Sequence, residues 1–229
     1  MSFFDNTKFL ISLLVKHPNQ AQYIPRWLMS LSKDYLLNKQ LPWVTFYAID
    51  FLNTLDFKGK RVFEYGSGAS TLYWLSKGAT CVSIEHEKEW YDKMNSSFAA
   101  IAEVDYRLIQ PELRSYSEIT INSANPDHYS SNSPEFKNYD FSHYVKQIDE
   151  FPDEYFDVVM IDGRARPSCI KQSLSKVRVG GLMIVDNTDR NYYLQETIDY
   201  FRSFSRQEFF GLVPIATCIS KTDFFTRLK

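Results

Sequence analysis

The stretch Arg61-Val62-Phe63-Glu64-Tyr65-Gly66-Ser67-Gly68-Ala69-Ser70 decides how this chain is read. It is an apolar strand running into a glycine turn. Glycine has no Cβ to obstruct a positive φ or the close approach of a ligand. The helix that such a turn opens presents N–H groups with no partner inside the helix. Nineteen residues after Gly66, a second strand ends in Glu85-His86, and a carboxylate at that tip can accept both hydroxyls of a ribose. A glycine turn alone is most often only a turn. In a strand-helix-strand unit with an acid at this spacing, it predicts a pocket for a nucleoside-type ligand.

Downstream of Lys60 the pattern alternates strands with helices, the mark of a parallel sheet with right-handed crossovers. Strand Arg61 to Tyr65 leads to a helix from Ala69 to Lys77, ended by Gly78 where a left-handed cap is wanted. Strand Thr80 to Glu85 leads to a helix from Glu87 to Ile101, with Tyr91, Met94, Phe98 and Ile101 on one face. Asp105 to Ile109 reads as a short third strand. Phe156 to Ile161 is wholly apolar but for Asp157, as expected of a central parallel strand buried on both faces. A helix opened by Pro167 carries Ile170, Leu174 and Val177 and is closed by Gly180-Gly181. Leu182 to Val185 is the fifth strand. After a helix near Tyr192 to Phe204, strands Glu208 to Val213 and Thr217 to Ser220 flank a Pro214 turn and read as an edge hairpin.

Two segments stand outside this rhythm. Residues 1–57 have helical spacing, no glycine and three prolines; Pro42 fits the first turn of a third helix. They read as an N-terminal helical cap on a main domain of residues 58–229. A sharper reading has the Trp43-Val44-Thr45 turn closing over one end of a bound cofactor. Residues 111–150 form an insertion with seven Ser, four Asn, four Tyr, three Pro and no Gly, far longer than an ordinary crossover connection. It is read either as a disordered excursion or as a lid, and its aromatics favour the lid.

Whole-chain totals narrow the function classes. The 229 residues suit one domain with decorations. With 26 Lys+Arg against 28 Asp+Glu and no dense basic run, nothing marks a nucleic-acid binder. Cys81, Cys169 and Cys218 are odd in number and in no metal-ligand spacing, which predicts reduced core thiols and a cytoplasmic location. No run approaches the roughly 20 apolar residues of a membrane span. The oligomeric state is open, with a homodimer among the options.

Ligands of an open parallel sheet sit outside the carboxyl ends of its strands, and every polar cluster falls there. Glu64 and Gly66-Ser67-Gly68 end strand one, Glu85-His86 strand two, Asp162 to Arg166 strand four, and Asp186 to Arg190 strand five. On these residues the chain resembles the class I S-adenosylmethionine-dependent methyltransferases over roughly residues 60–220. Glu64-x-Gly66-x-Gly68 stands where that class has an acid and its glycine motif, and Glu85 where it has the ribose-binding acid. The third glycine is replaced by Ser70. The resemblance implies an α/β, doubly wound, mostly parallel seven-stranded Rossmann-like sheet in the order 3-2-1-4-5-7-6, with the terminal hairpin as its antiparallel edge. It also implies that S-adenosylmethionine is bound by Glu64, Gly66, Ser67, Gly68, Glu85, His86 and Asp162, and that a methyl group passes to a small-molecule acceptor, at oxygen first and nitrogen second.

A narrower resemblance, to the catechol O-methyltransferase group, places Asp162, Asp186 and Asn187 where that group holds magnesium. Two carboxylates and an amide oxygen are hard ligands suited to Mg²⁺ or Ca²⁺. The lysine base which that group carries three residues after its first aspartate is Ala165 here. The competing reading has Asp162 serving the methionine end of the cofactor as the catalytic residue, with Asp186 capping a helix. Arg164 and Arg166 are candidates for clamping an acceptor carboxylate or phosphate, together with Asp186 and Asn187 on the substrate side; an internal ion pair with Asp186 or Asp189 is the alternative. His86, His128 and His143 are each candidate proton acceptors, none assigned. Two rivals remain: an NAD-dependent oxidoreductase, against which Thr71 occupies the third glycine position of Gly-x-Gly-x-x-Gly, and a non-catalytic cofactor-binding module.

Overall fold

The computed structural model describes residues 3–115 and 120–229, so Met1 and Ser2 of the cap and residues 116–119 of the insertion lie outside the described residues. The strands are β1 (Arg61–Tyr65), β2 (Thr80–Glu85), β3 (Val104–Leu108), β4 (Glu112–Leu113), β5 (Tyr139–Asp140), β6 (Phe156–Ile161), β7 (Val177–Val185), β8 (Phe204–Leu212) and β9 (Ile219–Arg227). Seven of them form one sheet in the order β3-β2-β1-β6-β7-β9-β8, while β4 and β5 pair separately. With that small pair set aside, the order is the expected 3-2-1-4-5-7-6. Pairing is parallel from β3 to β7; β9 runs antiparallel between β7 and β8.

Because side chains alternate across a strand, the sheet divides its apolar residues between two faces. Val62, Met160, Leu182, Ile184 and Phe224 share one core with the N-terminal helices α1 (Phe3–Lys16), α2 (Ile24–Ser30) and α4 (Phe46–Leu52), through Leu13, Trp27, Phe46, Ile49 and Leu52, while the short α3 (Tyr35–Lys39) contributes no residue to it. Trp74 of α5 (Ala69–Ser76) joins the same layer, while α6 (Lys88–Phe98) follows β2. Phe63, Tyr65, Val159, Ile161, Met183 and Phe225 face the other way. They meet Phe141, Tyr144, Val145 and Ile148 of the insertion, which includes α7 (Ser142–Val145), and Cys169 and Ile170 of α8 (Arg166–Ser173). The described part of the insertion is therefore a folded wall of the second core, and the disordered-excursion reading does not hold for it.

Three expected boundaries moved, each for a local reason. The third cap helix starts at Phe46 rather than at Pro42, because the buried Thr45 hydroxyl accepts the Ala48 N–H (3.3 Å) and donates to the Phe209 carbonyl (3.2 Å). Val177 belongs to β7 and not to the preceding helix; the Gly180-Gly181 pair lies inside that strand, where the β6–β7 register shifts, and is no helix stop. The helix near Tyr192 to Phe204 is a pair of 3-10 turns, Asn191–Tyr193 and Ile198–Ser203, and the hairpin strands are nine residues long. Cys81 and Cys169 are buried free thiols as expected, but Cys218 is exposed. No helix among the described residues is long and apolar enough to cross a membrane.

Candidate functional site

The tips of β1 and β6 touch through glycine. Gly66 has φ +91°, and a Cβ there would lie 2.9 Å from the Gly163 Cα; a Cβ on Gly163 would overlap the Tyr144 hydroxyl. The Gly66 N–H donates to the Ile84 carbonyl (2.9 Å) and the Asp162 N–H to the Tyr65 carbonyl (3.0 Å), so the turn after β1 is tied to both neighbouring strands.

From that anchor Ser67 reaches the end of β2. Glu85 Oε2 accepts from the Ser67 hydroxyl (2.8 Å) and N–H (3.2 Å), while Oε1 accepts from the N–H groups of His86 (2.7 Å) and Glu87 (2.9 Å). The Ser67 hydroxyl also meets Tyr106 at 2.8 Å. Burial raises the Glu85 carboxyl, but His86, the backbone N–H groups and Ser67 outweigh it and hold the group below its ordinary range. It is an anion at neutral pH, fixed against the glycine turn. His86 is buried; its Nδ1 lies 2.8 Å from Glu85 Oε1 without hydrogen-bond alignment, and its ring meets Phe136 of the insertion edge-on at 5.2 Å.

Glu64 faces the other way. It is fully buried beneath α5, lines neither cavity described below, and accepts from Thr71 (2.5 Å), Ser83 (3.0 Å) and Trp74 Nε1 (3.3 Å). Burial pushes its carboxyl up to about 7, against the pull of these hydroxyls and the indole. The Thr71 hydroxyl also accepts the Gly68 N–H (3.1 Å). Glu64 therefore acts on the turn from behind, through Thr71. The expected direct contact of Glu64 with a cofactor has no counterpart in these hydrogen bonds, which all run to Thr71, Ser83 and Trp74.

Two cavities, of about 560 and 660 Å³, meet at Trp43, Ser67, Trp90 and Asp162, which line both. The first runs under the cap, past Asp34, Tyr35 and Leu36 to Gly68–Ser70 and Lys93. The second holds Gly66, Glu85, His86, Arg164, Asp186, Asn187 and Arg190. Trp43 is 51% exposed, and Trp90 Nε1 donates to the Ser67 carbonyl (3.0 Å). Two contributors escaped the sequence reading. Trp90 is one position off the apolar face of its helix. Cys218 to Ser220 of the hairpin carried no local pattern, whereas Arg190 closes the polar run expected after strand five.

Arg166 is not free to clamp an acceptor. It is 4% exposed; Nε donates to the Gly163 carbonyl (3.0 Å), Nη1 to the Asp186 carbonyl (2.5 Å), and Nη2 to the Asp162 carbonyl and Oδ1 (2.9 Å each). Arg166 is in an internal ion pair, but its carboxylate partner is Asp162 and not the expected Asp186 or Asp189. Arg164 does reach the second cavity, meeting the exposed Glu135 at 3.5 Å and lying 5.5 Å from the Phe136 ring centre. Burial drives the Asp162 carboxyl up to about 6 against the opposing pull of Arg166, and burial together with Asp162 raises Asp186 as well. Asp186 Oδ1 accepts from Thr222 (2.6 Å); the Asn187 amide donates to Ser220 Oγ (3.1 Å), which donates to Asp189 (2.7 Å).

Of the residues expected to hold a divalent cation, Asp162 Oδ1 accepts from Arg166, Asp186 Oδ1 accepts from Thr222, and the Asn187 amide nitrogen donates to Ser220; no group of three His, Cys, Asp or Glu placed to hold a metal occurs among the described residues.

Comparison with solved structures gives the same fold. The O-methyltransferase TomG from Streptomyces achromogenes, involved in tomaymycin synthesis and solved with S-adenosylmethionine, aligns over 92% of this chain and 99% of its own (TM-score 0.60, 14% identity). The O-methyltransferase from Bacillus cereus in complex with S-adenosylhomocysteine aligns over 90% and 96% (0.56, 18%). A precorrin-6y C5,15-methyltransferase from Geobacter metallireducens aligns over 83% and 96% (0.52, 8%). No protein-family model and no curated protein sequence matches the chain. The chain shares the Rossmann-like fold of these methyltransferases.

Proposed function

We propose that this protein binds S-adenosylmethionine and transfers its methyl group to a hydroxyl of a small molecule. One observation carries the reading: the ionised Glu85 carboxylate, locked to Ser67 of the glycine turn, stands in the wall of an open cleft. A ribose diol would take the place of the Ser67 hydroxyl on that carboxylate, the one donor there able to rotate away. Glu85 and Ser67 would hold the ribose, with Gly66 and Gly68 admitting the nucleoside close to the backbone and His86 walling the far side. S-adenosylmethionine supplies a methyl already activated on a sulfonium, so the protein's part is to align an acceptor and exclude water. Asp162 lines both cavities, and burial pushes its carboxyl up to about 6. It is the carboxylate suited to take the proton of an acceptor hydroxyl near neutral pH. Arg164 and Asn187 face the same space as acceptor contacts, and Trp43 covers its open side.

The oxidoreductase rival is disfavoured by two features. The antiparallel β9 between β7 and β8 departs from the order 3-2-1-4-5-6 of dinucleotide-binding sheets. The third-glycine position holds Thr71, whose hydroxyl is needed by Gly68 and Glu64. Calorimetry with S-adenosylhomocysteine and with NAD separates the two readings. Binding of the first and not the second is expected, and the reverse would reject the proposal. Glu85→Ala should weaken S-adenosylhomocysteine by about 1.5–3 kcal/mol, or roughly 10- to 150-fold, through loss of charge-assisted hydrogen bonds. Unchanged affinity would reject the ribose assignment. Turnover on a panel of hydroxylated acceptors distinguishes an enzyme from a cofactor-binding module.

A further inference from the structure

Every other arginine of the chain has a carboxylate oxygen within 4.0 Å; Arg190 has none among the described residues. An exposed arginine without a partner is ordinarily a solvated one, but this side chain is held in place. Its Nη1 donates to the hydroxyl of the buried Tyr193 (3.2 Å), and its backbone N–H donates to the Asn187 carbonyl (3.0 Å) in the turn that follows β7. It lines the second cavity together with Asp162, Asp186, Asn187 and Ser220. The acids on that wall are committed elsewhere: Asp162 Oδ1 accepts from Arg166, Asp186 Oδ1 from Thr222, and Asp189 Oδ1 from Ser220 Oγ and the Lys221 N–H. A guanidinium offers a planar fork of N–H donors, and Tyr193 engages only one arm of this one. We propose that Arg190 selects the acceptor, by reading a carboxylate on the hydroxylated small molecule that receives the methyl group.

The class of anion follows from the surroundings. A carboxylate matches two parallel N–H groups of the fork and brings a single charge. A phosphate monoester brings more than one at neutral pH, against the neighbouring Asp162, Asp186 and Asp189, and like charges at this range repel. The uncharged body of a hydroxy acid would lie on Trp43, Val213 and Ile219, which line the same cavity, with its hydroxyl turned to Asp162. The acceptor oxygen then bonds to the methyl carbon, the carbon–sulfur bond breaks to leave neutral S-adenosylhomocysteine, and the hydroxyl proton passes to Asp162. This selection rests on the methyl transfer proposed above; the anion contact at Arg190 does not.

The test pairs acids with their uncharged amides on the full chain. The probes are para-hydroxybenzoate, para-hydroxyphenylacetate and lactate, each against the amide of the same skeleton, titrated by calorimetry with and without saturating S-adenosylhomocysteine. At least one acid should bind about tenfold more tightly than its amide, the gain of a charge-assisted pair. Arg190→Met should bring that ratio to within about twofold of unity. Arg190→Lys should keep part of it, since an ammonium supplies the charge without the fork. Melting curves show whether each variant is folded, and Arg190→Lys carries the test if Arg190→Met is not; a wild-type ratio in Arg190→Lys then counts against the fork. Acids and amides bound alike, no acid bound up to about 10 mM, or a ratio that a folded Arg190→Met leaves intact would overturn the proposal. S-adenosylhomocysteine titrated alone into the same samples keeps the two readings apart. Acid preference without S-adenosylhomocysteine binding rejects methyl transfer and keeps the anion contact; S-adenosylhomocysteine binding without acid preference does the reverse.

Discussion

Glu64→Gln is the substitution that weighs the charge buried behind the glycine turn. The carboxyl is fully buried and its ordinary value of 4.5 is pushed up to about 7. A folded-state value above the unfolded one means that the native protein holds the proton more tightly. The resulting stabilisation is fully present below about pH 4.5 and is lost as pH rises through about 7. Integrating the linkage relation with these two values gives a loss of about 2.5 kcal/mol for the wild type between pH 5 and pH 8. Glutamine has no such titration. It carries a fixed cost instead, because its amide must set a donor against Trp74 Nε1 or against the hydroxyls of Thr71 and Ser83. One unmade buried hydrogen bond costs about 1–3 kcal/mol, at every pH. Denaturant unfolding of both proteins at pH 5 and pH 8 separates the terms. The fixed cost cancels in the difference of differences, so the wild-type advantage should shrink by about 2.5 kcal/mol from acid to alkaline conditions. A stability gap that stays constant across that range would refute the argument that Glu64 is held as a partly protonated acid.

Gly66→Ala should lower the melting temperature by on the order of 5–10 °C, because a φ of +91° is strained for alanine and its methyl would press on the Gly163 backbone. Melting within about a degree of the wild type would show that the tips separate easily. Trp43→Ala should change stability by less than about 1 kcal/mol, since half of the side chain is in solvent. It should weaken binding in the cleft by roughly tenfold if the indole covers the ligand, measured by calorimetry with S-adenosylhomocysteine. Equal affinity would remove Trp43 from the site.

The β-α-β unit was legible because its signals are local. Apolar Arg61–Tyr65, the glycines and an acid at the end of the next strand each follow from a few adjacent residues, and the structure places Ser67 of that turn in contact with Glu85. What could not be read depended on long-range pairing. Whether Arg166 or Arg164 is free in the cleft is settled by which carbonyls the β6 and β7 tips present, and no sequence spacing encodes that. Glu64 lies one residue before Tyr65, and alternation alone sends its side chain to the α5 face; that period-two argument was available and would have predicted its burial under Trp74. The strand at Val177 and the 3-10 turns after Asn191 were misread because glycine pairs and aromatic runs fit helix ends and strand bulges equally well without knowledge of the register. The role of 111–150 was hidden for a similar reason. Its polar composition reports what faces water, while Phe141, Tyr144, Val145 and Ile148 enter the core and Tyr129, Phe136 and Tyr139 pack against it.

That segment carries a practical warning for anyone wishing to open the cleft by shortening the protein. Tyr144 abuts Gly163 at the point where two strand tips meet, and Tyr65 donates its hydroxyl to the Val145 carbonyl at 2.6 Å. Excising 111–150 would strip the plaster from one whole side of the sheet and loosen the masonry around the ligand at the same time, so a trimmed protein that lost activity would say nothing about gating.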